Sequence, residues 1–141
     1  MSTQFLIAPY HPDVWRSMGF SYITKIGAFE LDLEVYQKAL RERWQKIVFH
    51  SAIGDTYALG WNLPPEATEY AGLEGRLARN QQVVTFGTGP KASFLDFIIW
   101  HRYQVPNDLD LYLLNTASTD IMLLSPNTSQ DDIVKFTGIV E

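Results

Sequence analysis

The sequence predicts an α+β fold in one domain, residues 1–141: a largely antiparallel sheet of six to eight strands, two main helices at 33–45 and 93–104, and a short C-terminal helix. Three patterns carry this expectation. Tyr57, Leu59, Trp61 and Leu63 alternate with Ala58, Gly60 and Asn62, the two-residue period of a half-buried strand. Leu33, Tyr36, Leu40 and Trp44 recur at helical spacing, with Glu34, Lys38, Arg41 and Glu42 on the wet side. Residues 94–103 are apolar nearly all round, as in a helix buried between layers.

Taken in order, Pro12 and Gly19 bracket one short helical turn. Residues 20–29, with Phe20, Tyr22 and Ile26 in phase, are expected as a strand. Asp32 caps the helix at 33–45. Lys46 to Ser51 is a short strand, and Gly54-Asp55 turns the chain into the alternating strand at 57–63. The small residues of that strand imply a close neighbour or a groove on their face. Pro64-Pro65 opens a polar loop that runs to Gly72. Residues 73–79 and 82–86 form a hairpin around Asn80-Gln81, and Gly87 to Pro90 breaks the chain. Ser93 caps the apolar helix, which Val105-Pro106 ends. Residues 109–115 and 120–125 are strands, and Thr128 caps a last helix closed by Gly138.

Composition narrows the chemistry. With no cysteine, disulfides, thiolate metal sites and thiol nucleophiles are excluded together, which suits a reducing cytoplasm. No run approaches the roughly 20 apolar residues of a membrane helix. The first residues carry no basic flank of a signal peptide, so a cytoplasmic protein is expected. Acids and bases balance over residues 1–106. Beyond them, Asp108, Asp110, Asp120, Asp131, Asp132 and Glu141 oppose Lys135 alone, which accounts for the net charge of −5. Nucleic acid is disfavoured, because no basic stripe is present. A basic protein partner suits the acidic end.

No motif assigns a catalytic residue. His11, His50 and His101 fall at no metal-ligand spacing; a histidine–carboxylate site would have to recruit Glu30, Asp55 or Glu74 from elsewhere in the fold. No metal or other cofactor is expected. Gly87-Thr88-Gly89 lacks the third glycine and the lysine–hydroxyl pair of a phosphate loop, and Pro90 removes a donor. Arg102 falls on the same side of its helix as Leu95, Ile98 and Ile99. It must find carbonyls or a carboxylate as a strut, or an anionic ligand in a cavity. Trp61, Trp100, His101 and Arg102 are therefore the candidate ligand-binding residues, and Asp108, Asp110, Asp120, Asp131 and Asp132 the candidate partner-binding residues.

The order strand, helix, strand, strand over 20–63 recurs over 82–125. This resembles the paired modules of the vicinal-oxygen-chelate (glyoxalase-like) superfamily, in topology alone. A helix at 129–137 replaces that superfamily's further strand, and its His and Glu ligands find no matching positions, so none is carried over. In size, charge and α+β content the chain also resembles small acidic bacterial immunity proteins, which block basic toxins. The leading expectation is a non-enzymatic protein-binding or inhibitory module with an acidic C-terminal surface. The alternative is a small-molecule binder or enzyme on paired β-α-β-β modules, with a pocket near Trp61, His101 and Arg102. A homodimer through an open sheet face or edge is the third.

Overall fold

A computed structural model describes residues 4–50, 54, 56–63, 73–87 and 92–138, the side chains of 92 and 93 excepted. The elements are β1 (Gln4–Ala8), α1 (Pro12–Ser17), α2 (Leu33–Arg43), β2 (Val48–His50), β3 (Tyr57–Asn62), β4 (Glu74–Ala78), β5 (Val84–Gly87), α3 (Ala92–Tyr103), β6 (Leu111–Asn115), β7 (Ile121–Leu124) and α4 (Gln130–Thr137). The seven strands form one antiparallel sheet in the order β2-β3-β4-β5-β1-β6-β7. The fold is α+β, as the sequence predicts. Among the described residues no helix is long and apolar enough to cross a membrane.

The core lies between one sheet face and the helices. Phe5, Ile7, Leu59, Trp61, Leu77, Phe86 and Leu113 meet Tyr36, Leu40 and Trp44 of α2 and Phe94, Phe97 and Ile98 of α3. Asp32 caps α2 by accepting a hydrogen bond from the Val35 N–H at 3.0 Å. Ser129, one residue after the expected Thr128, caps α4 by accepting from the Asp132 N–H; Thr128 instead accepts from the Ser125 N–H. Gly138 closes α4 at φ 68°. Ser93 lies inside α3 rather than ahead of it. The expected loop at 64–72, the 88–90 break and residues Ser51 and Asp55 lie outside the described residues.

Three expectations change. Gln4–Ala8 is an interior strand, which pairs with both β5 and β6 and belongs to neither expected unit. Residues 20–29 form no strand. Gly19 and Gly27 take left-handed φ values of 73° and 74°, and Ser21 Oγ accepts from the N–H groups of Ile23 and Thr24, so turn chemistry overrides the apolar phase. The segment is tied instead to the Asn80–Gln82 turn. Gln82 Nε2 donates to the carbonyls of Ile26 and Phe29, and Asn80 Nδ2 donates to that of Thr24. The first β-α-β-β unit thus lacks its leading strand, and the internal recurrence is not present. Finally, a register shift between Tyr57 and Leu59 pairs Tyr57 with Ala78, which puts Tyr57 on the face opposite Trp61.

The second sheet face is divided. Residues 10–31 cover the half over β1, where Leu6, Ala8, Tyr10, Trp15, Ala78 and Val83 form a small apolar cluster. Over β2–β5 the segment reaches the ends of β3 and β4, where Tyr22 packs on Tyr57 and near Ala78, while Val48, His50, Glu74 and Arg76 on the rest of that half are exposed.

Candidate functional site

The residues singled out on α3 are held by the core. Arg102 is 6% exposed. Its guanidinium donates to the carbonyls of Val105, Pro106, Asn107 and Leu109, the last at 3.0 Å. Burial pulls its pKa down, and the Asp110 carboxylate opposes that shift. The arginine is a strut for the carbonyls that follow α3. The hollow beside it, between Ile99, Asn107, Ser125 and Thr128, measures only about 50 Å³.

His101 is 1% exposed, with Nδ1 2.9 Å from the Tyr36 hydroxyl and its ring stacked on Phe97. Burial, and then the Arg102 charge, pushes its pKa from 6.5 to about 3, so the imidazole is neutral. Burial raises the Tyr36 hydroxyl well above its ordinary value. Trp100 packs on Tyr36 and Trp44. Trp61 lies under β4, and its indole N–H has no partner among the described residues. A Cβ on Gly75 would sit 2.4 Å from the Trp61 ring, so only glycine fits opposite it. Trp61, Trp100, His101 and Arg102 do not converge on a common cavity among the described residues.

The five aspartates are all exposed, and the structure divides them. Leu111 pairs with Leu124, so Asp108 and Asp110 lie at the open end of the β6–β7 hairpin. The turn there leads into the first helical turn of α4, with Asp131 and Asp132. Asp120 sits at the closed end beside Asn115, roughly 16 Å away by strand rise.

The structure assembles a different site, on the open half of the second face. Register places His50, Gly60, Arg76, Thr85 and Leu6 in one cross-strand row. Val48, Asn62, Glu74, Gly87 and Gln4 form the next row. Each row has a glycine, and each glycine floors a hollow. The one at Gly60, walled by His50, Asn62, Glu74 and Arg76, holds about 210 Å³. The one at Gly87, walled by Gln4, Tyr57, Glu74, Arg76 and Thr85, holds about 90 Å³. With its amide oxygen toward His50 Nε2 (3.1 Å), Asn62 donates from its amide nitrogen to Glu74 Oε1 (3.1 Å) and to the Trp61 carbonyl. The Arg76 guanidinium lies over the Tyr57 ring, 5.2 Å from its centroid.

Charge that is not already engaged separates these hollows from others of similar size. The hollow of about 270 Å³ beside α2 is lined by Glu30, paired with Lys25, and by Asp32, which caps α2. The apolar hollow of about 260 Å³ between α1 and β6 is lined by Arg16, which faces Asp13 at 3.8 Å. Glu74 and Arg76 are both exposed and, among the described residues, neither forms an ion pair. The sequence marked this face only through its small residues and through Glu74 as one available carboxylate. The placement of Arg76 and Tyr57 beside them depends on pairing and on the bulge. Among the described residues no three histidines or carboxylates gather as a metal-ligand set.

Comparison with known proteins found no matching family model, no matching curated protein and no matching solved structure.

Proposed function

We propose that this chain is a small-molecule-binding module whose site is the open half of the second sheet face, over β3–β5. The observation that carries this reading is the pairing of two glycine-floored hollows with an exposed carboxylate and an exposed guanidinium that form no ion pair among the described residues. The volumes, about 210 and 90 Å³, fall below the roughly 300–1,000 Å³ of drug-sized sites, so a small metabolite is the occupant. The test is a screen of metabolite mixtures by ¹H–¹⁵N NMR on the full chain. Shifts confined to Gly60, Asn62, Glu74, Arg76 and Thr85, and lost in Gly60→Val, support the reading. A screen whose hits all map elsewhere, or that has no hits, removes it.

A second reading is a protein-binding or inhibitory module that presents its acidic end to a basic partner. It rests on the gathering of Asp108, Asp110, Asp131 and Asp132 around one end of the β6–β7 hairpin. Charged rims act mainly on association rate and its salt dependence. Salt-sensitive association should weaken when these four become asparagine and persist in Asp120→Asn. Equal weakening in both variants would exclude it.

A further inference from the structure

Resting on the open-face reading, we infer that the ligand is a small zwitterion of the amino-acid type, with its carboxylate on Arg76 and its ammonium on Glu74. Glu74 and Arg76 stand two residues apart on one face of β4, about 6.7 Å along the strand. Neighbouring opposite charges at that spacing can close on each other, yet these two do not pair. Each has its own uncharged support instead. The Asn62 amide holds Glu74 Oε1, with His50 behind it, and the Tyr57 ring carries the Arg76 guanidinium. Both charges are thereby kept apart and ready, which lowers the ordering cost of binding.

The same arrangement sets selectivity. An anion attracted by Arg76 meets Glu74 in the same hollow, and a cation attracted by Glu74 meets Arg76, so a single charge gains little. A ligand with both charges satisfies both residues. The floor adds room rather than donors: Gly60 lies within the paired strands β2, β3 and β4, and a Cβ there would be 3.7 Å from His50 Cβ and 3.9 Å from Arg76 Cγ. The space that a side chain would fill belongs to the ligand.

The experiment is an NMR titration of the full chain with L-serine and γ-aminobutyrate as zwitterions, and with acetate and methylammonium as single-charge probes. At least one zwitterion should give saturable shifts at Gly60, Asn62, Glu74 and Arg76, at concentrations about tenfold or more below either single-charge probe. Glu74→Gln and Arg76→Gln should each abolish that preference while keeping the wild-type thermal midpoint. Acetate or methylammonium binding as tightly as the zwitterions would overturn the inference, as would a preference that survives both substitutions, or no saturation by any probe. Those outcomes leave the open-face reading to the mixture screen, where a neutral or singly charged hit on the same residues still supports it.

Discussion

Arg102 and Arg76 represent opposite uses of a guanidinium in one small domain. At the end of α3, Arg102 is buried and donates to four backbone carbonyls between residues 105 and 109, so its charge is consumed by the fold. On the open sheet face, Arg76 is exposed, rests on Tyr57 and has no acidic partner among the described residues. The contrast teaches that burial alone does not mark a binding residue. A buried charge must be satisfied before the chain can fold, whereas a supported surface charge beside a hollow remains available to a ligand.

The contrast breaks most sharply at Arg102. Arg102→Met should cost about 3 kcal/mol of unfolding free energy in urea, because buried carbonyls lose their donors. Ligand binding at the open face should be unchanged in the folded fraction. A loss below about 1 kcal/mol would mean the carbonyls are satisfied without it.

Next is the pH dependence set by His101, the neighbour of Arg102. Its folded pKa of about 3 lies below the ordinary 6.5, so on acidification the unfolded chain takes up this proton first. Its contribution is whole above about 6.5 and drains as pH falls from there toward 3. Between pH 6.5 and 5 the loss approaches about 2 kcal/mol, at 1.36 kcal/mol per unit. Urea melts of the wild type and His101→Gln should diverge in this slope, and parallel profiles would exclude the assignment.

Two glycines repeat the comparison at smaller scale. Gly75→Ala drives a Cβ into the Trp61 ring and should cost about 1–3 kcal/mol. Gly60→Ala meets only ordinary contacts and should change stability by less than about 0.5 kcal/mol. Equal melting temperatures for the two variants would show that the core opposite Trp61 yields more easily than the contact implies. The smallest stability effect belongs to Arg76→Gln, within about 0.5 kcal/mol, since the residue is exposed. A larger loss would make Arg76 another strut and sharpen the difference away.

Much of the fold was legible in local pattern. Asp32 and the spacing of Tyr36, Leu40 and Trp44 located α2, and Asn80-Gln81 located the β4–β5 turn, because capping and turn chemistry act over a few residues. The apolar α3 was recognised as buried, although Tyr103 at its end is 78% exposed. The strand expected at 20–29 failed for a physical reason: its apolar side chains do pack, Tyr22 and Ile26 against the second cluster, but its backbone is held by the Asn80 and Gln82 amides from about fifty residues away. Periodicity reports which side chains are buried and says nothing of what receives the backbone hydrogen bonds.

The candidate site was legible only in part, through the small residues facing away from Trp61. By itself, the sequence determined the α+β class, the helices with the Asp32 and Gly138 caps, the absence of thiol chemistry, and the concentration of negative charge beyond residue 106. These follow from composition and from interactions between residues a few positions apart. Tertiary structure decided that Gln4–Ala8 lies inside the sheet between β5 and β6, that Arg102 is consumed by carbonyls, and that Glu74 and Arg76 flank two glycine floors without an ion pair among the described residues. Those outcomes depend on which strands pair and in what register, and register is set by the burial of a whole face at once.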